Sequence, residues 1–122
     1  MRPLRYTPLW LALGWAYVGL ILYLSLIFNP PHLAEFEQSD KLKHLLAYAL
    51  LMFYFFQLYE NKRLLLVHAL VFVILGGLIE LLQGLGGVRS MEFFDFLADA
   101  AGVVLGFWLG TYLPVYKAML RA

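Results

Sequence analysis

From Leu9 to Phe28 the chain carries no charged side chain. An α-helix rises about 1.5 Å per residue, so crossing roughly 30 Å of hydrocarbon takes about 20 predominantly apolar residues. This run is long enough for one crossing. Three more apolar runs follow, at about residues 42–59, 64–85 and 93–113. Helix-breaking or polar segments separate them. Asn29-Pro30-Pro31 ends the first, because proline has no N–H to donate and its ring clashes with the preceding turn. Ser39-Asp40 reads as an N-cap for the second. Glu60-Asn61-Lys62-Arg63 reads as a solvated turn before the third. Gly84, Gly86 and Gly87 are expected to stop the third, and Pro114 follows the fourth. Trp10, Tyr59, Tyr112 and Tyr116 sit near span ends, where amphipathic rings favour the membrane interface.

Composition supports the same class. Of the 122 residues, 63% are hydrophobic and 14% charged. Soluble domains average about 45–50% apolar and about 25% charged. A globule of this length has too little interior to hide the excess. The expectation is an all-α, polytopic membrane protein: one domain over residues 1–122, folded as an antiparallel bundle of four transmembrane helices. The first run exceeds the usual signal-peptide core of about 7–15 residues, and residues 25–31 offer no small-x-small cleavage site, so a retained anchor is expected. The net charge of +1 argues against a nucleic-acid partner, which needs a basic face. With no cysteine, thiolate chemistry and disulfides are excluded.

Basic residues orient the bundle. Four spans put Arg2, Arg5, Lys62, Arg63, Lys117 and Arg121 on one side, and Lys41, Lys43 and Arg89 on the other. The positive-inside rule then places both termini in the cytoplasm. Seven of the eight acids, all except Glu60, fall on the opposite, extracytoplasmic side.

Ionisable groups at the edge of a span are expensive and need a reason. Lys41, His44 and Tyr48 are spaced i, i+3, i+7 and share one face at the outer start of the second helix, beside Asp40. Glu80 and Gln83 are i, i+3 at the outer end of the third. Arg89 lies in the outer loop. Asp95 and Asp99 are i, i+4 at the outer start of the fourth. Topology therefore delivers these groups to one depth on one side. On the fourth helix Asp95, Asp99, Gly102, Gly106 and Gly110 fall on a single stripe. Small residues four apart allow close helix packing, so this stripe is expected to face protein.

Each residue also has a plainer reading. Asp40 can be only a cap, Lys41 and Lys43 can snorkel to the interface, and Glu80 with Arg89 can be an ion pair that locks the bundle. The glycines read as packing. His68 and His32 have no evident company and read as incidental. Convergence of both charge signs and an imidazole favours a functional site over these readings.

The residues also resemble a known family. Ser39-Asp40-Lys41-Leu42-Lys43-His44 with Tyr48 resembles the D-K-x-x-H-x-x-x-Y segment of VanZ-like membrane proteins. Glu80-Leu81-Leu82-Gln83 is similar to that family's E-x-x-Q. Arg89, Asp95, Asp99, Gly102 and Gly106 resemble its R-x(5)-D-x(3)-D/N-x(2)-G-x(3)-G run. The likeness spans about residues 39–110. It implies a small polytopic protein of the bacterial envelope, with a lean toward envelope lipids. The founding member is associated with teicoplanin resistance, so a connection to glycopeptide antibiotics is one implication.

Two functional classes use the same residues. As a binding site, Arg89 would hold a phosphate, Lys41 would add a point charge, and Asp40, Tyr48, Gln83 and Asp95 would complete the contacts to an amphiphile. The ligand would be a membrane lipid or a lipid-linked wall precursor. As a hydrolase or transferase acting on a phosphate-containing lipid, the protein would use His44, Glu80 and Asp99 as candidate acid–base groups. No H-E-x-x-H, G-x-S-x-G or P-loop is present, and no spacing compels a metal. A divalent cation held by His44, Glu80, Asp95 and Asp99 is the alternative, with oxygen-rich ligands favouring magnesium or calcium over zinc. A transport path is disfavoured because the cytoplasmic halves read as wholly apolar. A purely structural ion-pair network is the remaining alternative.

Overall fold

The structure is a computed structural model that describes residues 2–26, 37–86, 93–118 and 120, with the main chain alone at 26, 37–40, 83, 84 and 86. It is all-helical, with four helices: α1 (Thr7–Leu26), α2 (Glu37–Leu58), α3 (Lys62–Gly86) and α4 (Phe93–Tyr112). A short 3-10 turn follows at Val115–Ala118. Among the described residues there is no strand, only an isolated antiparallel bridge between Leu4 and Leu120.

Three helices are long and apolar enough to cross a membrane: Thr7–Ser25, Lys62–Leu82 and Phe93–Tyr112. Their outward faces carry large apolar side chains, among them Leu13, Leu20, Leu66, Leu70, Ile74, Val104 and Trp108. A surface of this kind suits hydrocarbon rather than water. The remaining helix, α2, starts with a polar stretch, Glu37 to His44. Among the described residues it also holds more buried side chains than any other helix, including Tyr48, Leu51, Met52, Phe55 and Leu58. Protein surrounds it on more sides, so it needs a less continuous apolar exterior.

Helix boundaries depart from expectation where polar groups sit. α2 begins at Glu37, so Asp40 lies inside its first turn and is not the N-cap. Asn61 is the residue that caps α3. Its Oδ1 accepts from the main-chain N–H of Arg63 at 2.8 Å and of Leu64 at 3.3 Å, so Lys62 and Arg63 belong to the helix rather than to a turn. Gly84 does not stop α3, which continues to Gly86.

Consecutive helices run antiparallel. Tyr54 donates its hydroxyl to the Trp10 carbonyl at 2.7 Å, and Tyr17 donates to that of Ala47 at 3.0 Å, so α1 descends as α2 rises. The tightest packing, however, is between α2 and α4, which run parallel. Gly102, Gly106 and Gly110 lie in order against Leu45, Ala49 and Phe56. A Cβ on Gly102 would meet the Leu45 carbonyl oxygen, and one on Gly106 the Ala49 carbonyl oxygen, both well inside contact distance. Only a bare Cα permits this approach.

One end of the bundle gathers the segments flanking the helices. The Arg2 N–H donates to the Leu58 carbonyl at 2.9 Å. The Tyr116 N–H donates to Oε1 of the buried Gln57 at 2.9 Å. The Arg2 guanidinium stacks 3.6 Å from the centre of the Tyr116 ring. Gln57 corrects the expectation that this half is wholly apolar. His68 also has company: its Nδ1 lies 2.8 Å from the Leu64 carbonyl oxygen, and its ring 4.5 Å from that of Tyr59 and 5.5 Å from that of Phe55.

Candidate functional site

The opposite end collects the polar groups. His44 sits two turns into α2, Glu80 near the end of α3, and Asp95 and Asp99 in the first two turns of α4. Packing of the helices, rather than proximity in sequence, joins them. Nδ1 of His44 is 2.8 Å from Oδ1 of Asp99. Nζ of Lys41 is 3.4 Å from Oδ1 of Asp95. Asp95, Asp99 and Glu80 are buried, at 0%, 1% and 3% exposure. Carboxylates this deep require charge or hydrogen-bond compensation, since desolvating an ion costs several kcal/mol.

Two glycine contacts set the geometry. The close α2–α4 approach at Gly102 presses α4 onto Leu45 and Tyr48, which places Asp99, nearly one turn earlier, beside His44. Gly76 provides the seat from the other side. A Cβ there would lie 2.9 Å from Oδ2 and 3.0 Å from Cβ of Asp99. Glu80 is four residues further along α3, on the same face as Gly76. The missing side chain lets the Asp99 carboxylate lie flat against α3, near Glu80.

As a result, one donor atom each from His44, Glu80 and Asp99 falls within 4.8 Å of the other two. Asp95 is directed to Lys41 and stands outside this group. The four-residue ligand set considered from sequence thus divides into a three-residue cluster and a separate ion pair. Tyr48 is buried, one turn below His44, against Gly102. Asp40 lies one turn before His44 in α2, and Gln83 follows Glu80 in α3. The side chains of both lie outside the described residues, as does the whole of Arg89.

A groove of about 260 Å³ opens beside His44, between α1 and α2. Lys43, His44, Ser25 and Tyr48 give it a polar margin, and Ile21, Leu24 and Ala47 an apolar wall. Neither Ser25 nor Lys43 is among the site residues expected from the sequence. Ser25 is a single hydroxyl in an otherwise apolar run, and Lys43 reads equally well as a snorkelling lysine. Their common depth with His44 is the only signal the sequence holds.

The hydrogen bond to Asp99 bears on what His44 can do. When Nδ1–H donates to the carboxylate, Nε2 carries the acceptor lone pair. A carboxylate-oriented imidazole can take up a proton or ligate a cation. A larger cavity of about 700 Å³ lies at the other end of the bundle, among Arg2, Glu60, Lys62, Tyr116 and Lys117, remote from this chemistry. No protein-family model matches the chain, and neither a curated protein nor a solved structure shows significant similarity to it.

Proposed function

We propose that this chain is a four-span integral membrane protein of the bacterial envelope whose polar end binds the headgroup of an amphiphilic lipid. The observation that carries the reading is the mixed-sign cluster of Lys41 and His44 with the buried carboxylates Glu80, Asp95 and Asp99, contributed by three helices at one end of an apolar bundle. The groove beside it joins polar and apolar walls within one opening, as a lipid requires: headgroup at His44 and Lys43, acyl chain along Ile21 and Leu24.

In this reading α2 is the fourth span, shielded by its neighbours. Arg2, Arg5, Lys62, Arg63 and Lys117 mark the cytoplasmic end, and the cluster faces the extracytoplasmic side. The VanZ-like resemblance supports an envelope lipid or lipid-linked wall precursor, and with it a link to glycopeptide resistance. Arg89 would add a planar phosphate contact. The His44–Asp99 pair supports a second reading, in which the same pocket performs acid–base chemistry on a phosphate-containing lipid.

Lipid mass spectrometry on the purified protein tests the proposal. The parent should retain an envelope lipid through detergent exchange, and His44→Ala should release it while remaining folded. A parent that carries no lipid, with His44→Ala, Glu80→Gln and Arg89→Ala all failing by unfolding, would leave an ion-pair network that only holds the bundle together.

A further inference from the structure

We propose that His44, Glu80 and Asp99 form a binding site for one divalent cation of the manganese and zinc class. This deepens the lipid-headgroup reading of the groove beside the cluster, with which it shares His44, and rests on that reading for the role of the ion.

The geometry carries the argument. Three separate helices each deliver one donor atom, and all three atoms lie within 4.8 Å of one another. Two ligands on one ion can be no further apart than twice the metal–ligand bond. That limit is about 4.2 Å at bonds of roughly 2.1 Å, and about 5 Å at bonds of roughly 2.5 Å. Neighbouring ligands of an octahedral ion with bonds near 2.1 Å are about 3 Å apart. The 2.8 Å separation of His44 Nδ1 and Asp99 Oδ1 is close to that spacing; a bound cation would take the place of the proton between them, with the imidazole proton on Nε2. A separation of up to 4.8 Å lies outside the shorter limit, so closing all three donors onto one manganese or zinc centre takes side-chain movements of roughly 0.6–1.8 Å.

A second observation is the seat at Gly76. Its bare Cα leaves the space in which the Asp99 carboxylate approaches Glu80, and a methyl group there would lie 2.9 Å from Oδ2. Two carboxylates brought together at 1% and 3% exposure repel one another. With a neutral imidazole the three donors carry two negative charges, which a divalent ion balances. Imidazole suits zinc, and carboxylate suits manganese, magnesium and calcium. A set of one nitrogen and two oxygens lies between, favouring Mn²⁺ or Zn²⁺. Magnesium dehydrates reluctantly and prefers oxygen, so it fits a buried imidazole less well. Three protein donors leave coordination positions for water or for a phosphate oxygen of the lipid.

The test uses the full chain in detergent. The protein is incubated with Mn²⁺ or Zn²⁺, passed through metal-free buffer and analysed for metal content, with Mn²⁺ titrations followed by electron paramagnetic resonance. About one ion per folded chain is expected. Glu80→Gln and Asp99→Asn keep the side-chain shape and should each weaken binding by at least the ~10–100-fold that loss of a supporting residue costs a metal site. Glu60→Gln, at the exposed far end, should bind as the parent does. The inference is overturned if the folded parent retains neither ion, or if both site variants bind like Glu60→Gln. Co-purified lipid is measured on the same samples. Lipid held by the parent and lost in His44→Ala, without metal, sinks the cation site alone. One ion per chain without lipid keeps the cation site and sinks the lipid reading.

Discussion

His44 and Asp99 are 55 positions apart in sequence, yet Nδ1 of one lies 2.8 Å from Oδ1 of the other. The contact links α2 and α4 at the polar end of the bundle and engages a carboxylate that is 1% exposed. His44→Ala removes the imidazole partner and should destabilise the fold by about 1–3 kcal/mol. In His44→Gln the amide can still donate to Asp99, so most of that stability should return. Denaturation in detergent measures both. The same pair of variants separates functional readings. Glutamine cannot exchange a proton near neutral pH, so lipid retention by His44→Gln favours binding, and loss favours acid–base or metal chemistry.

The glycine stripe of α4 makes a prediction about packing alone. Gly106→Leu drives a branched side chain into the α2 backbone at Ala49 and Phe53. Overpacking typically costs about 1–3 kcal/mol, and backbone cannot rotate aside as a side chain can, so the upper part of that range is expected. Gly19→Ala is the opposite case. A Cβ there meets nothing within 4 Å, and alanine improves helix propensity by about 0.5–1 kcal/mol. Melting temperatures that move in the same direction for both variants would contradict the assignment.

Gln57 ties the C-terminal segment to α2 by accepting the Tyr116 N–H. Gln57→Leu keeps the volume and loses the acceptor. A loss of about 1–3 kcal/mol is expected, because the abandoned N–H is partly buried. Hydrogen exchange should rise at 115–118 while the α4 core stays protected; unchanged exchange there would mean the tie carries no load.

Much of this arrangement is legible before the structure. The absence of charge from Leu9 to Phe28 and the i, i+4 aspartates on the glycine stripe already indicate helices and an inward face. What the sequence leaves hidden is which helices meet most closely. Short connections suggest contact between consecutive helices, whereas the closest pair is α2 and α4, because glycines let two parallel backbones approach. That pairing selects Asp99 over Asp95 as the neighbour of His44, a choice that two aspartates one turn apart cannot reveal. Gly76, four residues before Glu80 on one face of α3, already suggests an interior direction in the sequence; what stays hidden is that Asp99 lies against it. Gln57 and His68 depend likewise on partners far away in sequence.

The orientation proposed from the basic residues can be tested directly, since the chain has no cysteine. Single cysteines at Lys62 and Phe93 occupy exposed positions at opposite ends of the bundle. In intact cells a membrane-impermeant thiol reagent should label Phe93→Cys and spare Lys62→Cys until the membrane is opened. The reverse pattern would turn the bundle over and place the polar cluster in the cytoplasm.

Adjacent glycines on α3 offer a test that changes no polar atom. Gly76→Ala places a methyl group 2.9 Å from Oδ2 and 3.0 Å from Cβ of Asp99. Cβ is fixed by the α4 backbone, so the carboxylate cannot simply swing clear; the two helices must separate by a few tenths of an ångström or more. Gly77→Ala places its methyl group 3.2 Å from Cε1 of Phe96, a ring whose edge can turn aside. Both changes raise helix propensity by a similar amount, so propensity cancels between them. Gly76→Ala should therefore be the less stable of the two, by about 1 kcal/mol or more. It should also weaken metal and lipid retention, because the three donor atoms no longer meet. Gly77→Ala should bind as the parent does. If the two variants melt together and bind alike, Asp99 is not seated on Gly76, and the convergence of His44, Glu80 and Asp99 loses its structural basis.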